Sequence, residues 1–302
     1  MCLIEFMNKH DSDEKQFVIH ELPEYLHFID VIEKENPSFG LFQSAGDRPF
    51  LFRGLTNTSY ELLPGLFRMA RYKNELRNKY PENEWGILQH FIIDGISYRS
   101  DIAFDDVFRW VQLAQHYGVP TRLLDWTWNP MVALYFSCEG NYNNDGCVWA
   151  LHFNRYKDNF IKSTNAEKNP IETTEKLIKK ELHGQNIQYP FIISPYYFDS
   201  RMSAQDSMFM VWGSERIKLE DILENERIPI VDYSNGFKSQ LNGCMVKCII
   251  DKGYKRIILN QLDKIGINEK SLFPGLDGIG RRIEAIYNID RYHSEEGEKN
   301  GR

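Results

Sequence analysis

Cysteine is sparse in this chain: Cys2, Cys138, Cys147, Cys244 and Cys248 are all that 302 residues contain. An odd set in a long chain without secretory features predicts reduced, mostly buried thiols rather than a disulfide framework. Long apolar runs are missing as well. No stretch approaches the ~20 residues that span a bilayer, and the N-terminus lacks the basic start and apolar core of a signal peptide. A cytoplasmic location with no membrane partner is therefore expected. Positive charge is in deficit, and a net charge of −7 disfavours a protein that coats nucleic acid over a broad face, while leaving room for a local basic groove. Familiar catalytic signatures are also absent. There is no Walker loop, Gly-x-Ser-x-Gly elbow or His-Glu-x-x-His helix, and Gly275, Gly278 and Gly280 have the wrong spacing for a dinucleotide fingerprint. Cys244 and Cys248 lack a second ligand pair at finger-like distance, so no metal site is expected.

A hydrophobic content of 42% with 14% aromatic residues predicts a well-packed globular protein. Its centre is the stretch 112–138. A helix ending at His116-Tyr117 stops on Gly118, which enters the left-handed region at little cost. Asn129-Pro130 then reads as an N-cap followed by proline at the first helical position, and Met131 to Phe136 is apolar on every face, as in a buried helix. Between the two helices a tight loop carries Arg122 and Asp125, expected to form a buried ion pair; such a pair needs good geometry and further hydrogen bonds to be tolerated.

The remaining chain reads as mixed helix and strand. Leu22 to Glu35 shows a helical rhythm through Leu26, Ile29, Val31 and Ile32, and Asn36-Pro37 ends it. Pro49 to Leu55 reads as a strand on which Phe50 and Phe52 share one face and Leu51 and Arg53 the other. Arg53 then either points into a cleft or pairs with a core carboxylate. Residues 68–79 carry Arg68, Arg71, Lys73, Arg77 and Lys79 against Glu75, giving a basic helix that is either a solvated face or a nucleic-acid contact. Gln112 and His116 share a helix face four residues apart, a face able to look into a site. Further strands are expected at 146–153 and 245–250, and a last helix at 280–287. The domain plan is a flexible N-terminus over 1–19, a single domain over 20–293 with an insertion near 154–189, and a disordered tail over 294–302. The fold class is α+β, a mixed or antiparallel β core flanked by helices.

Several motifs carry a family resemblance. Phe52-Arg53-Gly54, then Leu62-Leu63-Pro64-Gly65-Leu66-Phe67-Arg68, then Ala114 to Thr127 (Ala-Gln-His-Tyr-Gly-Val-Pro-Thr-Arg-Leu-Leu-Asp-Trp-Thr) resemble the FRG domain, a bacterial and phage-associated family. Ser200 to Phe209 and Leu272 to Gly278 agree with the family's later segments less closely. The order of strand Arg, Thr-containing loop, buried helix and strand is in turn similar to the ADP-ribosyltransferase fold, with its split sheet. The resemblance implies a toxin-like or antiviral effector that transfers ADP-ribose from NAD to RNA, DNA or protein, acting with an antitoxin or defence-system partner. It implies catalytic roles for Arg53, His116, Thr127, Gln205 and Asp277, and NAD contacts from Arg53, Gly54, Arg122, Trp126, Thr127 and Tyr135. A carboxylate is needed near the scissile bond, and Asp125, Asp206 and Asp277 are the candidates. Two other readings stand beside it: a non-catalytic module that senses a nucleotide or partner, and nucleic-acid binding through 68–79.

Overall fold

The computed structural model describes residues 17–35, 48–69, 83–161, 165–181, 187–197, 199–213, 216–225, 230–231 and 244–287. Among the described residues eight strands form one sheet: β1 (Val18–Ile19), β2 (Phe50–Leu55), β3 (Leu123–Thr127), β4 (Gly146–His152), β5 (Phe191–Ile193), β6 (Ser207–Val211), β7 (Ile230–Val231) and β8 (Met245–Ile250). Their spatial order is β1-β8-β4-β2-β3-β6-β5, with β7 also on β8. β1 and β7 run parallel to β8 and the other pairs are antiparallel. With helices on both faces, the fold class is α+β. The helices that matter below are α1 (Leu22–Glu35), α2 (Glu84–Gly95), α3 (Val107–His116), α4 (Pro130–Cys138), α5 (Pro170–Lys179), α6 (Ser200–Ala204), α7 (Lys255–Lys264), α8 (Glu269–Leu272) and α9 (Leu276–Tyr287).

Strand alternation sorts the core into two clusters. Phe50 and Phe52 of β2, Val148 and Ala150 of β4, and Val246 and Cys248 of β8 face α1, α4 and α7. Leu51 and Leu55, Cys147, Trp149 and Leu151, and Met245 face the opposite way, toward α2, α3 and α5. A period of two residues along each strand produces this division. α1 buries Leu22, Tyr25, Phe28 and Ile32, whereas Leu26 is half exposed; the apolar stripe is offset from the positions the sequence rhythm suggested.

α4 lies against β2 with almost no gap. A Cβ placed on Gly54 would sit 1.9 Å from the Ala133 carbonyl oxygen, and one on Gly146 would sit 2.3 Å from that of Ser137. These two glycines are the seats on which the buried helix rests, and Asn129 starts that helix by accepting a hydrogen bond from the Met131 N–H at 2.9 Å.

Several expectations are corrected. Residues 123–127 form strand β3, not a loop, and all five pair with β6. Val18 and Ile19 join the sheet edge beside Ile249 and Ile250. The last helix begins at Leu276, four residues earlier than expected, so the Leu272–Gly278 stretch joins two helices. The lysine-rich stretch near 154–189 contributes Tyr156, Phe160, Ile161, Leu177 and Ile178 to the core. As expected, Cys138, Cys147, Cys244 and Cys248 are buried free thiols. Among the described residues no helix is long and apolar enough to cross a membrane. The basic segment expected over 68–79 lies outside the described residues except at Arg68 and Met69, as does the expected tail over 294–302.

Because the atoms that a Gly54→Ala side chain meets are backbone, the replacement should destabilise the protein by at least about 1–3 kcal/mol, the range for overpacking. Urea unfolding of the variant checks this, and a wild-type midpoint would show that α4 shifts freely.

Candidate functional site

The sheet is splayed at its centre. β2 and β3 share a single ladder pair, Phe52 with Thr127, whereas β3 continues along β6 and β2 along β4. In antiparallel register Gly54 would sit opposite Asp125, but that pairing is not made. The Arg53 guanidinium spans the gap instead, donating from Nη1 to the Asp125 carbonyl oxygen. A cleft of about 350 Å³ opens along this seam, lined by β2, β3, α3, α4 and α6.

Its polar lining is rich in donors. Arg53, Gln112, Gln115, His116, Thr127, Arg201 and Gln205 face it, with Asp125 as its carboxylate and Phe52, Tyr60, Trp126, Phe136 and Phe209 as aromatic walls. Three buried N–H groups on residues that line it have no hydrogen-bond acceptor: Arg53 Nε, Gln112 Nε2 and Trp126 Nε1. Buried polar groups are satisfied as a rule, so three orphan donors on the residues of one cleft leave the cleft's own lining short of acceptors. Burial depresses the Arg53 pKa, the Asp125 carboxylate opposes that shift, and Arg68 adds to it. Burial likewise lowers the His116 pKa, against the pull of Asp199, whose Oδ2 lies 3.6 Å from Nε2, and favours the neutral imidazole.

Asp125 is held in place from α3. Gln115 Nε2 donates to its Oδ2 at 2.8 Å, and Thr121 Oγ1 donates to Gln115 Oε1 at 2.6 Å, which fixes the orientation of the amide. Arg53 Nη1 lies 4.0 Å from the same carboxylate oxygen. The Asp125 side chain is half exposed, so the expected buried pair with Arg122 does not form. Arg122 is wholly buried and bonds the Glu84 carboxylate through Nε at 2.8 Å and through Nη2. Its Nη1 donates to the carbonyl oxygens of Trp212 at 2.6 Å and Gly213 at 3.0 Å. Strand alternation explains the correction, since β3 directs Asp125 outward while Arg122 sits at its buried start.

The other expected site residues fall into three groups. Arg53, Gly54, Trp126, Thr127, His116 and Gln205 line the cleft. Within it, Thr127 Oγ1 donates to the Gln205 carbonyl oxygen at 2.6 Å and accepts from the Asn129 N–H, and the Gln205 amide donates to the Leu272 carbonyl oxygen. Asp277 lies in an adjoining hollow and pairs with Arg281. Arg122 and Tyr135 are elsewhere: Tyr135 sits in the α1/α4/α7 core and its hydroxyl donates to Glu269 Oε1 at 3.1 Å. Of the three candidate carboxylates Asp125 alone lines the cleft, since Asp206 pairs with Arg48. Sequence reasoning missed Gln115 and Arg201, although each stands inside a motif it quoted.

Residues 48–146 match the FRG domain family. The match takes in Phe52-Arg53-Gly54 and Ala114 to Thr127, and leaves out Ser200 to Phe209 and Leu272 to Gly278. No curated protein and no solved structure matches the chain.

Removing the Glu84 carboxylate strands a buried guanidinium, so Glu84→Ala should cost about 3–5 kcal/mol. Asp125→Ala, at an exposed position, should cost less than about 1 kcal/mol. Paired thermal melts check both values, and the reverse ranking would restore Asp125 as the partner that holds Arg122.

Proposed function

The chain carries an FRG domain over residues 48–146, and we propose that its cleft binds NAD and transfers the ADP-ribose moiety to a macromolecule, as an effector of toxin or antiviral type. The observation that carries this reading is the set of three unpartnered buried donors, Arg53 Nε, Gln112 Nε2 and Trp126 Nε1, carried by residues that line one aromatic-walled cavity at a splayed sheet. A ligand that suits it brings oxygen acceptors and flat rings, as a nicotinamide dinucleotide does. Its phosphate oxygens suit a guanidinium, and its rings suit Trp126, Phe136 and Tyr60. The cavity falls within the size range of small-molecule sites, roughly 300–1,000 Å³.

In this reading Asp125 faces the positive charge that grows at the ribose carbon as its bond to nicotinamide lengthens and the bonding pair leaves with nicotinamide. Gln115, fixed by Thr121, keeps that carboxylate aimed. His116, held neutral by burial, accepts the proton released as the acceptor's nucleophile bonds to the same carbon. Thr127 and Gln205 act as staples between β3 and the chain around α6 and α8.

A second reading, a module that binds a nucleotide without breaking it, draws support from that last point. The Thr127 hydroxyl and the Gln205 amide are already engaged within the protein, so two of the polar groups expected to act on the ribose are occupied.

Incubation of the protein with NAD separates the two. Nicotinamide release by wild type, lost in Asp125→Asn with NAD affinity retained, supports the transferase; binding without release supports the sensing module. Arg53→Ala should weaken NAD binding by about 1.5–3 kcal/mol per charged hydrogen bond lost, measured by calorimetry. Unchanged affinity in that variant would remove Arg53 from the site.

A further inference from the structure

A second hollow of about 340 Å³ adjoins the cleft, lined by His116, Asp199, Ser200, Arg201, Phe273, Pro274 and Asp277. It shares two side chains with the cleft, His116 and Arg201. Arg201 therefore stands on the wall between two compartments of nearly equal size. Its guanidinium lies over the Phe273 ring, 4.6 Å from the centroid, while Arg281 lies 4.5 Å from the same centroid. Phe273 thus braces both cations.

Among the described residues no acceptor hydrogen-bonds the Arg201 guanidinium; the hydrogen bond this residue donates comes from its backbone N–H, to Asp199 Oδ1. The nearby carboxylates are occupied elsewhere. Asp199 caps α6 and approaches His116, Asp277 bonds Arg281 Nε at 3.0 Å, and Asp125 is held by Gln115. Burial and the Arg281 charge disfavour the Arg201 cation, and the Asp125, Asp199 and Asp277 carboxylates favour it without bonding its guanidinium. A half-buried guanidinium, fixed in orientation and without an acceptor, matches an anion that supplies two oxygens to its fork.

We infer that Arg201 is the diphosphate clamp of this protein, and that the ligand is a nucleoside diphosphate derivative lying across Arg201 with one part in the cleft and the other in the adjoining hollow. The inference rests on the proposed nucleotide-binding role of the cleft and goes beyond it in two respects: the phosphates sit at Arg201, and the ligand occupies both compartments. Arg53, on β2, then serves the end of the ligand that reacts.

Calorimetry with inorganic pyrophosphate, ADP, adenosine and NAD on the full chain tests this, using wild type, Arg201→Ala and Arg201→Lys. Pyrophosphate and ADP should bind wild type and weaken on the order of 10- to 100-fold in Arg201→Ala, the equivalent of one or two charged hydrogen bonds. Arg201→Lys keeps a cation but loses the fork, so its affinity should fall between the two; it also stands in if the alanine variant fails to fold. Adenosine, which lacks phosphate, should bind wild type and Arg201→Ala alike. Equal ADP affinity in wild type and both variants overturns the inference, as does equal loss for adenosine and ADP, which would mean that Arg201 only shapes the pocket. Failure of every phosphate ligand to bind wild type also overturns it. ADP binding that depends on Arg201, without nicotinamide release from NAD, leaves the clamp standing and removes the transferase reading alone.

Discussion

Arg122 is a charged side chain with no contact with water, and the arrangement of β3, α2 and β6 follows from how its charge is satisfied. Its guanidinium donates to Glu84 at the start of α2 and to two carbonyl oxygens at the end of β6, while its own carbonyl accepts the Trp212 N–H at 3.1 Å. Helix, strand start and strand end are thereby tied at one corner. A buried ion pair contributes little net stability, but losing one member is expensive, so the corner resists partial change. The β3-β6-β5 half of the sheet is fixed there. The β2-β4-β8 half is fixed separately, by α4 seated on Gly54 and Gly146.

Strands β2 and β3 meet at one ladder pair and through the Arg53 side chain. Elsewhere along the seam the ladder is not made, and residues of both strands line the cleft. Unpaired strand edges normally find partners within a fold. Here Arg53 takes on part of that function by donating to a carbonyl that would otherwise face β2. Its Nε is left over, as are the amide of Gln112 and the indole of Trp126. The seam is therefore short of acceptors on its own chemistry, which is the physical basis for reading it as a binding site.

Much of the architecture is legible in the sequence because it depends on local rules. The Asn129-Pro130 start of α4, the Gly118 stop with its φ of +79°, and the alternation that separates Phe52 from Arg53 need no tertiary information. Pairing between distant segments is less accessible. Arg122 and Asp125 are three residues apart and opposite in charge, which suggests a pair, but strand geometry turns one inward and the other out, and the true partner lies 38 positions upstream. The same limit hid Gln115 and Arg201. Each is an ordinary polar residue on a helix, and only the fold shows that one aims a carboxylate and that the other has no acceptor. Gly54 was legible as part of a motif, though its reason is the close approach of α4 as much as the cleft it lines.

The division of Arg53 between two roles bears on how such a site responds to a ligand. Its Nη1 bonds β3 while its buried Nε has no partner, so a ligand that engages Nε need not displace the bond that closes the seam. A ligand contacting Gln112 and Trp126 as well would reach α3 and β3 on one side of the seam and β2 on the other, adding links where the ladder has one. Binding would then stabilise the native state in proportion to ligand concentration over its dissociation constant. Asp125, half exposed and held by Gln115, is the group best placed to respond to what enters, since its ion pair with Arg53 is long, at 4.0 Å.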